Sequence, residues 1–304
     1  MQKIFELFRH KILNKKLSSN NKINFPSAFS LIELAIVILV IGILILGISQ
    51  GYNLVRSAQI SNARGITSKS PVSSYEDLLI WYETSLRNSL LDAETKDTGQ
   101  LTKWKDISPS SILVGNNIAS TTATNNISYL ASGINKIPSV KFSGTGSKFS
   151  LSNFVQGASS QTTIFIVFRP TYSPSATYST IFDNASSSTY SISINNSSVQ
   201  LNNGISANYT YSFALNRDYI LGCYFNRSNS QVFVNTITGV TSATALTGTN
   251  SLIGASIGNS FAGDSSFNGL ISEVIVFNRI IKESERKEIF YYLGKKYKID
   301  VIGI

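Results

Sequence analysis

The stretch PSAFSLIELAIVILVIGILILGISQG, Pro26 to Gly51, decides how this chain is divided. From Leu34 to Ile48 no polar side chain interrupts it. Counted from Phe29 the apolar run reaches about 20 residues, enough to cross a hydrocarbon core of about 30 Å at 1.5 Å per residue. One carboxylate, Glu33, stands inside the run. An ionised side chain at the centre of a span costs roughly 2.5–3.5 kcal/mol, so Glu33 needs both a partner and a task. The basic residues Lys3, Arg9, Lys11, Lys15, Lys16 and Lys22 precede the run. Because positive charge stays in the cytoplasm, the amino terminus is expected inside and everything after Gly51 exported.

The residues that follow do not resemble a signal-peptidase site. SQGYNLVRSAQ carries Arg56 and places Tyr52, Val55, Ile60 and Ala63 at helical spacing, so the helix is expected to continue as an amphipathic segment to residue 64. Residues 65–75 collect Gly, Ser and Pro and read as a linker. Residues 76–304 form the exported body.

Only 14% of the 304 residues are charged. Ser, Thr, Asn and Tyr are abundant in the body, and short segments such as TIFIVF, YSISIN, SVQL, YILGCYF, SQVFVN and GLISEVIVF alternate with Asn-, Ser- and Gly-rich turns. YSISIN sets Tyr190, Ile192 and Ile194 on one face and Ser191, Ser193 and Asn195 on the other, as an antiparallel strand with one buried face requires. The expected fold class is therefore α+β: a long membrane-spanning helix, a mainly antiparallel two-sheet β-sandwich, and a short carboxy-terminal helix.

The net charge of +9 does not point to nucleic acid, because the first 28 residues hold six basic side chains against the single acid Glu6. The one cysteine, Cys223, has no partner for an intramolecular disulfide and reads as a small core residue. The one histidine, His10, lies in the basic segment. The body thus lacks the residues for a His/Cys metal cluster or a Ser–His–Asp triad.

The segment SA followed by FSLIELAIVILVIGILILG resembles the prepilin motif of type IV pilins and of type II secretion pseudopilins: a basic leader, a small residue, an aromatic, then a Ser-Leu-Ile-Glu-Leu block opening an apolar helix. The resemblance implies a leader peptide at 1–28 and an assembly helix at 29–64. It implies cleavage by prepilin peptidase between Ala28 and Phe29, with Ala28 standing where the family more often has Gly, and N-methylation of Phe29. Glu33 would then neutralise the amine of a neighbouring subunit in a filament and set its axial register.

A second resemblance covers residues 76–300. KWKDIS, GINKIPSVKFSGTG, TTIFIVFRP and GLISEVIVFNRIIKESERKEIFYYLGKKYKI follow the order of laminin G-like, concanavalin A-like jelly rolls. Trp81 and Trp104 match framework positions and read as packing residues. Lys282 stands where that family often has a capping Ser, leaving Ser284 or the turn to satisfy the first amides of the final helix.

Concanavalin A-like folds include glycoside hydrolases, whose two carboxylates usually alternate on one strand. No such pair occurs here, and Glu273, expected to share a face with Ile271 and Ile275, reads as a structural carboxylate paired with Arg279 or another Arg. The body is expected to bind rather than to catalyse. Exposed aromatics that stack on sugars and loop Asn/Asp that meet hydroxyls make Tyr172, Tyr178, Asp183, Asn184, Tyr209, Tyr211, Asp218 and Asp264 the candidate ligand residues. No cofactor is expected, and no motif specifies calcium, although related modules sometimes bind it with loop carboxylates.

Together these readings give a pilin-like, minor subunit of a type IV pilus or type II secretion pseudopilus that displays a lectin-like head for adhesion or ligand binding. Its expected partners are other pilin or pseudopilin subunits, prepilin peptidase, the inner membrane and a glycan or surface-protein ligand. The alternative is a membrane-anchored carbohydrate-binding or carbohydrate-active envelope protein that enters no filament. Both place a single pass in the inner membrane with the body periplasmic; filament assembly would carry it to a pilus or the cell surface.

Overall fold

The computed structural model describes residues 30–109, 116–120, 126–144, 146–152, 154, 161–172, 177–242 and 244–304. Ala28 and Phe29 lie outside the described residues. Contacts divide the chain into two units, residues 1–52 and 53–304.

In the first unit, helix α1 (Leu31–Ser68) begins. Its apolar side chains from Leu31 to Ile48 are exposed, and it is long and apolar enough to cross a membrane. The start of α1 is locally determined. Ser30 Oγ accepts the amide of Ile32 at 3.3 Å, while Glu33 Oε2 accepts the amide of Ser30 at 2.8 Å. This reciprocal capping satisfies amides that a helix start otherwise leaves orphaned.

The second unit contains the last turns of α1 and the body, whose strands are β1 (Leu78–Glu83), β2 (Lys103–Trp104), β3 (Ile118–Ser120), β4 (Ile127–Leu130), β5 (Ser139–Ser143), β6 (Phe149–Leu151), β7 (Thr162–Pro170), β8 (Ser179–Asp183), β9 (Ser191–Ile194), β10 (Ser198–Asn202), β11 (Ser206–Thr210), β12 (Tyr219–Phe225), β13 (Gln231–Val234), β14 (Ala255–Ile257) and β15 (Asn268–Phe277). Helix α2 (Glu283–Tyr297) follows. One sheet runs β13-β12-β7-β15-β5-β4, with β1 also paired to β15; the other runs β11-β10-β9-β8-β14-β6-β3-β2. All strand pairings are antiparallel among the described residues. The expected two-sheet sandwich is thus present.

Two cores result. Between the sheets lie Tyr190, just before β9, and Ile192 and Ile194 within it, facing inward as their alternation requires, together with Trp104, Phe142, Phe168, Cys223, Val274 and Val276. Burial pushes the Cys223 thiol well above its usual range, so it remains an un-ionised packing group. On the outer side of the β15 sheet a second core forms beneath α2 from Trp81, Phe165, Ile275, Phe277, Phe290, Leu293 and Tyr297. Gly222 makes this docking close: a Cβ there would stand 3.1 Å from Phe165 and 3.2 Å from Phe290, whose rings meet edge-on at 5.5 Å.

Two sequence expectations are corrected here. The helix does not end at residue 64 but runs through Ser68, and the segment expected as a linker is folded into the body. Ala63 and Thr67 are buried, Ser70 Oγ accepts the amide of Val72, and the 3₁₀ turn Pro71–Ser74 buries Val72 in the second core. Second, Glu273 does not share a face with Ile271. A bulge between Ile271 and Glu273 shifts the strand's phase, so Ile271 enters the inter-sheet core while Glu273 and Ile275 face α2.

The entry to α2 differs too. Lys282 is the N-cap residue, and its ammonium has no lone pair with which to accept an amide. Glu285, rather than Ser284, closes the turn by accepting the Lys282 amide at 2.7 Å. Arg279 holds Glu285 with two bonds of 2.8 Å, which draws that carboxylate below its usual range and consumes the cation expected for Glu273.

Candidate functional site

No single strand carries alternating carboxylates in the sequence. The structure brings two together across strands. Glu83 on β1 stands directly opposite Glu273 on β15, and Lys296 from α2 reaches both, at 2.9 and 2.8 Å. Trp81 Nε1, Tyr292 OH and Tyr297 OH also donate to Glu273, at 2.7, 2.7 and 2.9 Å. Glu83 accepts from the Ser85 and Leu86 amides and from the hydroxyls of Ser85 and Ser89.

All three charged side chains are at most 1% exposed. Burial alone would raise the Glu83 carboxyl, but the Lys296 charge and four donors outweigh it and hold it below the ordinary range. Burial likewise opposes the charged Lys296, and the two carboxylates overcome it and push its ammonium upward. A hydrolase pair needs room for sugar and water. This one is sealed and fully bonded, so it is a structural ion network.

A groove of about 320 Å³ opens instead on the outer face of the second sheet. Its floor is the polar face of β8 and β9, where Thr180 Oγ1 meets Ser193 Oγ at 2.9 Å and Ser265 Oγ at 3.0 Å, and Ser265 Oγ donates to the Tyr178 carbonyl. Ser191 and Gln200 extend this polar lining. Loop 259–266 forms one wall. Phe261, 41% exposed, lines the groove from that loop, and Lys148 Nζ sits 5.3 Å from the ring centroid.

The loop is tied down from below. Asp183 Oδ2 accepts the Phe261 amide at 2.8 Å and Oδ1 accepts the Asn184 amide at 2.8 Å. Burial raises the Asp183 carboxyl above its ordinary range, although these amides and Lys148 work against the shift. Asp264 Oδ1 accepts the Ser260 hydroxyl at 2.6 Å, closing the turn of the loop.

Three of the eight candidate ligand residues, Tyr178, Asp183 and Asp264, line this groove. Tyr178 OH lies 2.9 Å from Ser198 Oγ and donates to Asn208 Oδ1. Asn184 is beside the groove, but its amide bonds Ser186, Ser188 and the Ser251 carbonyl and its oxygen accepts the Ile253 amide, so it braces loops.

The remaining candidates are elsewhere, and two are corrected outright. Tyr209 is a core residue only 1% exposed, because β11 turns its alternate residues inward. Asp218 belongs to the other sheet's side, bonded twice to Arg169 at 2.5 and 2.9 Å. Tyr211 is half-buried against Phe213 and Tyr219. Tyr172 is 70% exposed and is not part of the groove lining. Phe261, Thr180, Ser193 and Ser265 also line the groove and are not among the residues expected from the sequence; their one local signal is an aromatic set among small polar residues in NSFAGDSS.

A wider concavity of about 680 Å³ lies between residues 61–71 and α2. Two of its lining side chains are engaged, Glu288 by the Tyr75 hydroxyl at 2.6 Å and Lys295 by the Tyr291 ring. Among the described residues no group of three or more His, Cys, Asp or Glu could hold a metal ion.

Solved structures of similar shape are sandwich-containing proteins. A Trypanosoma rangeli sialidase in complex with 2,3-difluoro-KDN matches at 14% identity and a TM-score of 0.51, covering 79% of this chain and 39% of the sialidase chain. A mutant of that sialidase displaying trans-sialidase activity matches at 14% identity and a TM-score of 0.50, covering 81% and 39%. Domain 4 of a GH43 extracellular arabinanase from Geobacillus stearothermophilus, in complex with arabinotriose, matches at 15% identity and a TM-score of 0.47, covering 69% of this chain and 96% of that domain. The chain spans between about a third and two fifths of the sialidase chains. At these identities the likeness shows the fold alone. No protein-family model and no curated protein matches the chain.

Proposed function

We propose that this protein is a membrane-anchored envelope protein whose β-sandwich head binds a glycan in the groove on the β8–β10 face. The observation that carries this reading is the combination of a hydroxyl-rich floor with the exposed ring of Phe261. Hydroxyls both donate and accept, as sugar hydroxyls do, and an exposed ring offers a flat apolar surface to a pyranose or furanose face. The reading is of binding rather than hydrolysis: the facing pair Glu83 and Glu273 is sealed beneath α2, and of the two groove carboxylates Asp183 has both oxygens committed to backbone amides. The test is titration of immobilised oligosaccharides with the full-length protein in detergent. Wild type binds, Phe261→Ala loses at least about tenfold in affinity, and equal binding by both would remove the groove from the reading.

A second reading, entry into a type IV pilus or pseudopilus, is supported by the prepilin-like stretch around Ala28, Phe29 and Glu33 and by the unpartnered apolar surface of α1 from Leu31 to Ile48. In a filament that surface packs against other copies, and Glu33 meets the amine of a processed neighbour. Mass spectrometry of the amino-terminal peptide tests it. An N-methylated Phe29 supports it, and an intact leader in cells with active prepilin peptidase removes it in favour of a simple anchor.

A further inference from the structure

We infer that the groove selects neutral oligosaccharides and rejects acidic ones such as sialosides and uronates; this rests on the glycan reading above. The inference follows from charge. Among the described residues the groove lining contains two carboxylates, Asp183 and Asp264, and no Lys or Arg. Asp183 is the deeper, with both oxygens already accepting backbone amides, and Asp264 is exposed at the rim.

Lys148, the cation nearest the wall, is not among the lining residues and has two of its three protons committed to the loop. Lys148 Nζ donates to the carbonyls of Ser260 and Phe261 and sits against the Phe261 ring. Those bonds hold the loop, and moving the ammonium toward a ligand would break them. Burial lowers the Lys148 pKa, while its attraction to Asp183 acts the other way.

A carboxylated sugar entering the groove therefore meets like charge without a guanidinium to receive it. Recognition of carboxylates and phosphates relies on such planar cationic forks. Like-charge juxtaposition across an interface disfavours the acidic partner. A neutral sugar faces no such cost. Its apolar face meets Phe261, its hydroxyls meet Thr180, Ser193 and Ser265, and Asp264 is free to accept one more hydroxyl through its second oxygen. The fold shared with sialidase chains therefore does not extend to a sialic-acid preference.

The experiment is calorimetric titration of the full-length protein in detergent with two sets of hexasaccharides matched in length. The neutral set contains gluco-, manno-, xylo- and arabino-oligomers; the acidic set contains oligogalacturonate and oligosialic acid. At least one neutral member is expected to bind, the acidic members at least about tenfold more weakly at 0.1 M salt, where the Debye length is about 10 Å. Asp264→Lys is expected to narrow that gap; because it also removes the Ser260 bond, Asp264→Asn, which keeps an oxygen for Ser260, serves as the folded control and is expected to narrow it less. Acidic binding equal to or tighter than neutral overturns the selectivity while leaving the glycan reading in place. Absence of binding by every member of both sets removes the glycan reading and the selectivity with it.

Discussion

Lys296→Met removes the one cation that, among the described residues, pairs with the two carboxylates of a sealed site. Lysine and methionine have similar length, so packing against Tyr292 and Tyr297 is largely kept and charge is the main change. Breaking a buried ion pair by deleting one partner costs about 3–5 kcal/mol. For a folded unit of this size, each kcal/mol moves the melting midpoint by about 2–4 °C, giving a fall of about 6–20 °C. The pH dependence separates this cause from a packing defect. In the wild type the Glu83 carboxyl lies below its ordinary 4.5 and the Lys296 ammonium above its ordinary 10.5. The carboxylate contribution is therefore complete above about pH 4.5 and is lost as pH falls through the depressed value; the lysine contribution is complete below about pH 10.5 and is lost as pH rises through the raised one. Between pH 5 and 9 the network leaves stability flat. In Lys296→Met the facing carboxylates lack a cation, so burial and mutual repulsion raise one of them. The folded state then holds a proton that the unfolded state releases, and stability rises as pH falls from 8 to 5. Differential scanning fluorimetry across that range reads both effects. A shift below about 3 °C, or parallel pH profiles for the two proteins, would refute the reasoning.

Other outcomes follow from the same geometry. A chain beginning at residue 76 should melt well below one beginning at residue 53, because it loses the burial of Val72, Ala63 and Thr67; a buried Val alone contributes about 1.5–3 kcal/mol, and equal midpoints would restore the free-linker expectation. Asp183→Ala should leave the sandwich folded but loosen loop 259–266, seen as faster hydrogen exchange at the Phe261 amide, with unchanged exchange counting against the anchoring role. Because the Asp183 carboxyl lies above its ordinary 3.8, its accepting strength should fade at a correspondingly higher pH on acidification, and loop exchange should rise there. Glu33→Gln keeps an oxygen to accept the Ser30 amide, whereas Glu33→Ala loses it, a cap worth about 1 kcal/mol. If charge pairing sets filament register, both variants insert and neither assembles; assembly of Glu33→Gln alone would assign Glu33 to capping.

The sandwich was legible where alternation is strict. YSISIN placed Tyr190, Ile192 and Ile194 correctly because one buried face imposes period two. Alternation misled at Glu273, where a one-residue bulge reverses the phase and no local residue announces it. Lys296 was hidden as the partner because helix α2 carries it back over the strand from 23 residues away, while Arg279 is much nearer in sequence. Trp81 and Trp104 were legible as packing residues from their framework match, and both are buried. The groove was only partly legible. Its floor hydroxyls look like any solvent face in the sequence, and they become a lined site only because loop 259–266 folds over them. Tyr209 shows the reverse error, an aromatic in a polar setting whose strand phase turns it inward.

The meeting of β1, β15 and α2 at Lys296 also has a temporal consequence. Trp81 finds Glu273 across 192 residues, and Glu83 finds Lys296 across 213. At a synthesis rate of about 5–20 residues per second, β1 emerges roughly 10–40 s before its charged partner exists. Through that interval Glu83 needs water, and the hydrophobic strand beside it lacks its neighbours. The head therefore closes last at the place where it began, and its folding must wait for the final helix to be delivered.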